Sequence, residues 1–152
     1  MTGHEKKMFS VTGRLHRTRD YSLQELLAMD KVKTGDLLFA CGSGDPKGRI
    51  ETIKGVLLTD IINGAEVVTA DHNDTKKMYV VVTAADGYLT LFSWQELFNT
   101  AVGEGVMIIL EKEGKKIYAE HGTVDLFSAN DFLTGPRYVK QVKTIRIIMV
   151  EP

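Results

Sequence analysis

Apolar and polar positions along this chain predict many short strands and a few short helices. Apolar runs of strand length, bounded by glycines and polar turns, predict strands at residues 8–15, 37–41, 78–83, 88–92, 106–110 and 142–150. The run at 78–83 is nearly continuous, which is typical of a strand covered on both faces. Asp86-Gly87 is a turn signal that joins this run to its partner strand at 88–92.

Two Ser-x-x-Glu motifs predict helix starts. In each, the serine accepts a hydrogen bond from the N–H three residues on, and the glutamate reaches back to the serine N–H. The motifs are Ser22 with Glu25, opening a short helix that ends near Asp30, and Ser93 with Glu96.

The remaining segments predict shorter elements. The pattern at 55–64 predicts a short apolar helix, and Asn63-Gly64 can supply the left-handed residue that ends it. Residues 71–77 are a polar surface loop, and Glu113-Gly114 turns the strand before it into a hairpin partner at 115–118. An irregular segment begins at His121 and includes one helical turn at 128–131. Strands outnumber the interspersed helices, which predicts a strand-dominated α+β fold with a mixed sheet.

Length and charge restrict the classes of function. The chain has 152 residues, which fits a single domain over residues 8–150, with residues 1–7 as a disordered or tag-like terminus. The net charge of −1 provides no electrostatic case for nucleic acid as a partner. No apolar run reaches the roughly 20 residues of a membrane span. No signal peptide is visible, so the chain is cytoplasmic unless a signal was removed, in which case it is periplasmic or exported.

The strongest chemical candidate is Cys41, which is the only cysteine. It ends the apolar run 37–41 and precedes a glycine-rich loop that carries Lys47 and Arg49. A thiolate is a soft donor that suits a soft or high-valent metal, and glycines let backbone N–H groups approach a ligand. The alternative is that Cys41 is a small buried hydrophobe, as cysteine often is. These residues alone leave both interpretations open.

Several motifs then follow one another in a defined order. They are Phe9-Ser10-Val11-Thr12-Gly13, Tyr21-Ser22-Leu23-Gln24-Glu25-Leu26, Cys41, Gly55-Val56-Leu57-Leu58-Thr59-Asp60-Ile61-Ile62, Ala85-Asp86-Gly87-Tyr88, His121-Gly122, and Gly135-Pro136-Arg137-Tyr138-Val139-Lys140-Gln141-Val142-Lys143. Their order and spacing over residues 8–150 resemble the molybdopterin-binding domain of the sulfite oxidase family. The resemblance implies that family's fold, a molybdenum–molybdopterin cofactor, and Cys41 as the catalytic cysteine that ligates the metal.

The resemblance also implies cations for the phosphate of the pterin. The candidates are Arg137, Lys140 and Lys143, followed by Lys47, Arg49 and His121. A solvated strand face is the alternative for the basic residues of 137–146.

Three departures from the family pattern leave two functions open. After its histidine-glycine the family carries a proline and an arginine, whereas Thr123-Val124-Asp125-Leu126 here carries the acid Asp125 and no arginine. Gln141 stands where the family carries a tryptophan, and Asp45 near Cys41 would repel an oxyanion. The first hypothesis is an oxidoreductase of the oxygen-atom-transfer type that passes electrons to an electron-transfer protein. The second is a non-catalytic binding module on the same fold, which holds a pterin-like or other small anionic ligand or a protein partner.

Overall fold

The computed structural model describes residues 6–34, 38–40, 46–50 and 52–151, and for 38–40 and 46–50 it describes the backbone alone. Over these residues the chain forms twelve strands: β1 (Lys7–Gly13), β2 (Arg19–Ser22), β3 (Val32–Lys33), β4 (Leu38–Ala40), β5 (Pro46–Ile50), β6 (Ile53–Leu57), β7 (Met78–Ala84), β8 (Leu89–Ser93), β9 (Val106–Lys112), β10 (Lys115–Lys116), β11 (Asp125–Ser128) and β12 (Val142–Met149). The same residues form four short α-helices: α1 (Leu23–Ala28), α2 (Leu58–Asn63), α3 (Trp94–Asn99) and α4 (Ile117–His121). Two 3₁₀ turns cover Asp74–Lys77 and Ala101–Gly105.

Two sheets organise the molecule. The first has the strand order β2-β1-β12-β7-β8, in which β1 and β12 run parallel and the other neighbours run antiparallel. The second is antiparallel, with the order β10-β9-β6-β3 and with β11 also paired to β9. Strands β4 and β5 pair with each other as a separate ribbon. This architecture confirms the strand-dominated α+β fold with a mixed sheet.

The main core combines the inward faces of the two sheets with α2. Its fully buried members include Val80 and Ile145 from the first sheet, Val56 and Ile108 from the second, and Ile61 from α2. Complete burial of one such side chain contributes about 1.5–3 kcal/mol. A smaller cluster, which includes Phe127, lies on the opposite side of the second sheet. As a result β9 is covered on both faces over residues 106–110.

Strand β7 differs from the prediction of burial on both faces. Its side chains alternate between fully buried and half-buried, because Tyr79, Val81 and Thr83 lie on the outer face of the first sheet. The apolar run reflects the β-propensity of valine as much as burial.

Both predicted capping boxes are confirmed. Ser22 Oγ accepts from Glu25 N at 3.2 Å, while Ser22 N donates to Glu25 Oε1 at 3.0 Å. The corresponding distances between Ser93 and Glu96 are 3.0 and 2.8 Å. The predicted strands at 78–83, 88–92, 106–110 and 142–150 are also present, within two residues at their ends. For the strand predicted at 37–41, the described part is β4.

The predicted helix over 55–64 is wrong in its first half. Residues Ile53–Leu57 form β6, and α2 begins at Leu58. Gly55 lies so close to the neighbouring strand that a Cβ there would be 2.1 Å from Ile108 O, so the glycine serves strand pairing. The left-handed ending is also wrong, because Gly64 has a φ of −78°.

Three predictions for shorter segments also need correction. The hairpin partner predicted at 115–118 has only two strand residues before α4 begins. The segment predicted as irregular from His121 contains β11, and residues 128–131 form a turn and no helix. The loop at 71–77 contains a buried residue, Asp74, whose carboxylate accepts hydrogen bonds from two backbone N–H groups. The pairing of β11 with β9 and the contact of Asp74 with Arg14 join distant residues, and local sequence shows neither.

Candidate functional site

A cleft opens between the end of α4, the start of β11 and the segment that leads into β12. It has a volume of about 300 Å³, and we call it the Lys140 cleft. Its lining includes Lys112, His121, Thr123, Asp125, Tyr138 and Lys140. A second hollow of about 350 Å³ is lined by Asp86, Tyr88 and Gly135 together with Tyr138 and Lys140. Tyr138 and Lys140 therefore contribute to both cavities.

Local backbone structure places His121 in the cleft wall. Helix α4 ends at His121, and Gly122 follows with a φ of +70°, which reverses the chain. Gly122 N donates to Tyr118 O at 3.0 Å and closes the helix end. Glycine adopts this left-handed conformation without the clash that a Cβ would cause.

Backbone hydrogen bonds hold Lys140 on the other wall. Leu126 and Val139 exchange hydrogen bonds in both directions, at 2.8 and 3.0 Å. Val142 N donates to Val124 O at 2.8 Å. The segment before β12 is thus fastened to β11, and Lys140 extends from it as an exposed side chain.

Asp125 is the acid of the cleft, and both of its carboxylate oxygens accept hydrogen bonds. Tyr138 Oη donates to Asp125 Oδ2 at 2.8 Å, and Gln141 N donates to Asp125 Oδ1 at 3.0 Å. Gln141 has a φ of +56°, a conformation that residues with a Cβ rarely adopt. The departures from the family pattern at 125 and 141 are therefore in direct contact with each other.

The basic groups of the cleft are available to a ligand. Within the described part of the chain, no hydrogen bond or ion pair engages the side chain of Lys140 or of His121. Lys112 Nζ lies 5.5 Å from the centroid of the Tyr138 ring, a cation–π contact. Thr123 Oγ1 is buried and has no hydrogen-bond partner among the described residues. A buried hydroxyl without a partner is costly, and a ligand atom would remove that cost.

Arg137 is held away from this arrangement by internal contacts. Its Nε and Nη2 donate to the two carboxylate oxygens of Asp131 at 2.9 and 2.7 Å. Its Nη1 lies 3.2 Å from both Glu96 Oε2 and Leu91 O, and its guanidinium stacks over Phe92. Hydrogen bonding to Asp131 raises the pKa of Arg137 despite partial burial. The side chain joins the segment before β12 to β8 and α3.

The other predicted site residues are distributed as follows. Lys143 is exposed on β12, beside the bulge between Val142 and Thr144, and it does not line either cavity. Lys47 and Arg49 belong to β5, of which only the backbone is described. Cys41 lies outside the described residues, so its role stays a prediction. The structure brings together two of the predicted residues, His121 and Lys140.

Sequence reasoning missed part of this site. Lys112 and Thr123 were not predicted, and Asp125 was identified only as a departure from a family pattern. Lys112 immediately precedes the Glu113-Gly114 turn, whose φ values of 51° and 80° let β9 reverse into β10. Because that turn ends β9 beside the cleft, only the tertiary fold reveals that Lys112 belongs to the site. In the described ranges, no three histidine, cysteine or acidic residues group as a metal site.

Comparison with known proteins supports the fold and leaves the chemistry open. No family model matches the chain, and no curated protein does. Its structure is similar to the crystal structure of the sulfane dehydrogenase SoxCD from Paracoccus pantotrophus, with a TM-score of 0.64 and 16% sequence identity. The match covers 95% of this chain and 39% of that one, so this chain spans about two fifths of the neighbour's length. The fold thus resembles that of a sulfite-oxidase-family structure. No helix among the described residues is long and apolar enough to cross a membrane.

Proposed function

We propose that this chain is a single domain of the sulfite-oxidase type that binds a molybdenum–molybdopterin cofactor in the Lys140 cleft and acts as an oxidoreductase. The observation that supports the proposal is the convergence of Lys112, His121 and Lys140 on one cleft. It occurs in a fold similar to that of the sulfane dehydrogenase SoxCD.

The residues of the cleft fit the polar part of such a cofactor. A phosphate group needs cations or N–H donors, and the ammonium groups of Lys112 and Lys140 supply them. His121 adds a ring N–H at the end of α4, and the Thr123 hydroxyl supplies a buried donor without a partner among the described residues. Among the described residues that line the cleft, the acid Asp125 is already hydrogen-bonded through both oxygens. The cleft therefore presents mostly donors and positive charge.

The proposed role of Cys41 is to ligate the metal through its thiolate. When bound, the cofactor would supply a two-electron redox step of the oxygen-atom-transfer type, and an electron-transfer protein would accept the electrons. The chain's own residues bind and orient the cofactor. Lys47, Arg49, Lys143 and Arg137 stay predicted cations for the same ligand, although the Arg137 guanidinium would first have to leave its carboxylate partners.

The test is the cofactor content of the protein after expression in a host that makes molybdopterin. Elemental analysis should find about one molybdenum atom per chain, and oxidation should release a fluorescent pterin. Cys41→Ser should lose the metal, because a serine hydroxyl is a harder ligand than a thiolate. Lys140→Ala should lower the pterin content, whereas the control Lys33→Ala, at an exposed position on β3, should not.

A different result would favour the second function. If the protein carries neither molybdenum nor pterin under cofactor-replete conditions, the oxidoreductase proposal fails. If that metal-free protein still binds small phosphate-bearing anions through Lys140, it is a non-catalytic binding module on the same fold.

A further inference from the structure

We infer that Asp125 is a positioning residue that sets Tyr138 and Lys140 against the cleft and thereby strengthens the binding of anions there. The inference rests on the proposed function of the Lys140 cleft and names the residue that prepares it. At first sight an acid in an anion site should weaken binding. The contacts of Asp125 indicate the opposite effect.

One carboxylate fixes the chain on both sides of Lys140. Tyr138, two residues before the lysine, donates its phenol hydrogen to Asp125 Oδ2 at 2.8 Å. Gln141, one residue after it, donates its backbone N–H to Asp125 Oδ1 at 3.0 Å. Hydrogen bonds to an ionised carboxylate are stronger than those between neutral groups. Lys140 thus extends from a short segment that is held at both ends by the same side chain.

The backbone of Gln141 shows why this support is needed. Its φ of +56° is unfavourable for a residue with a Cβ. The conformation is held because its N–H bonds to Asp125, while its carbonyl accepts from Ala85 N at 3.0 Å. The left-handed residue turns the chain into β12 immediately after Lys140. Loss of the Asp125 contact would let the backbone relax and move the lysine.

Tyr138 extends the same support across the cleft. Its ring lies under Lys112 Nζ, at 5.5 Å from the centroid, and edge-on to Phe127 at 6.1 Å between centroids. Asp125 therefore orients a residue that contacts the second lysine of the cleft. Asp125 thus supports Lys140 through its two neighbours in the chain, and it is linked to Lys112 through the Tyr138 ring.

Asp125 affects anion binding in two opposite ways: its negative charge weakens binding, and its hydrogen bonds strengthen binding by positioning Lys140. The Asp125→Asn variant shows which of the two effects is larger. Removal of a negative charge near an anion would by itself tighten binding. An amide has a single oxygen and can replace only one of the two accepted hydrogen bonds. If Asp125 acts by positioning, the variant binds anions more weakly despite its more positive charge.

The experiment is a calorimetric titration of pyrophosphate into the full chain, prepared without cofactor. Asp125→Asn should weaken pyrophosphate binding about fivefold, a factor that corresponds to the loss of one hydrogen bond. Tyr138→Phe should weaken it in the same direction, because it leaves Asp125 Oδ2 without its phenol donor. The matched control is Asp20→Asn, since Asp20 also accepts from a hydroxyl, Ser10 Oγ at 2.6 Å, but lies on edge strand β2. The control should bind as the parent does.

A second readout detects the contact itself. In protein labelled with ¹³Cζ-tyrosine, the resonance absent from Tyr138→Phe identifies Tyr138. The chemical shift of that resonance should change in Asp125→Asn and stay the same in Asp20→Asn, because it reports the hydrogen bond of the phenol. Unchanged or tighter pyrophosphate binding by Asp125→Asn, or an unmoved Tyr138 resonance, would overturn the inference while leaving the proposed function intact. A parent chain that binds no pyrophosphate contradicts the proposed cleft function itself, and the inference with it.

Discussion

Arg137 should stabilise the fold, and its replacement by alanine tests this directly. Arg137→Ala removes a two-pronged contact with Asp131, with N–O distances of 2.7 and 2.9 Å, and a 3.2 Å contact with Glu96. It also removes a guanidinium at 4.3 Å from the centroid of the Phe92 ring. Asp131, with a side chain only 12% exposed, would then hold a charge without its arginine partner.

The expected loss of unfolding free energy depends on how far Arg137 and its carboxylate partners are shielded from water. An exposed ion pair contributes about 0–1 kcal/mol, and breaking a buried one costs about 3–5 kcal/mol. The Arg137 side chain is 21% exposed and Glu96 is 36% exposed, so the site lies between these limits. The contact with Phe92 adds about 0.5–1 kcal/mol. We expect Arg137→Ala to lower the free energy of unfolding by about 2–3 kcal/mol.

The assay is urea denaturation followed by tryptophan fluorescence, with the midpoint and slope fitted separately. Arg146→Ala is the matched control, because Arg146 is an exposed arginine on β12 and should change stability by less than about 0.5 kcal/mol. Pyrophosphate titration at two salt concentrations should show a salt dependence that Lys140→Ala reduces. The reasoning is refuted if Arg137→Ala unfolds at the same urea concentration as Arg146→Ala.

Three further predictions concern the fold. Ser22→Ala should cost about 1 kcal/mol of unfolding free energy through the lost cap, and Ser93→Ala a similar amount, as measured by urea denaturation. Gly55→Ala should cost about 1–3 kcal/mol, because the new Cβ would lie 2.1 Å from Ile108 O; a melting temperature equal to the parent's would contradict this. Hydrogen bonds from the N–H of Asp71, and then of Ala70, hold the pKa of Asp74 below its usual value. Its ionised form therefore stabilises the protein above the ordinary aspartate pKa of about 3.9, and this contribution is lost as the pH falls below that value. Asp74→Asn should accordingly show a smaller loss of stability between pH 7 and pH 3; an equal loss would exclude Asp74 as a source of acid sensitivity.

The elements predicted correctly from the sequence depend on local signals. A capping box contains its donor and acceptor within four residues, so Ser22 and Ser93 reveal their helices without knowledge of the fold. Strand β12 is eight residues long and rich in valine and isoleucine, residues that are enriched in strands, so its sequence alone indicates a strand. The order of short motifs likewise predicted the fold class.

The elements that were missed depend on contacts with distant parts of the chain. Nothing near Gly55 shows that β9 passes close to it, and only that approach makes the residue part of a strand. Strand β11 is four residues long, and its pairing with β9 is what makes it a strand. Short elements of this kind are decided by tertiary contacts more than by propensity.

In the candidate site, too, sequence reasoning identified residues in short motifs and missed residues that depend on distant contacts. His121 and Lys140 were identified because they stand in short motifs, and they do line one cleft. The pairing of Tyr138 with Asp125 joins residues 13 positions apart, so no local motif reveals it. Lys112 reaches the cleft from another strand, so its membership follows only from how the second sheet is assembled.

The measurement that tests the central claim most directly is X-ray diffraction from crystals of protein expressed with cofactor, at wavelengths on either side of the molybdenum absorption edge. The account predicts one molybdenum peak per chain in the anomalous difference map, within bonding distance of the Cys41 sulfur. It also predicts that electron density for the pterin extends to the wall formed by His121 and Lys140. Crystals that contain no such peak, or a peak remote from the Lys140 cleft, would contradict it.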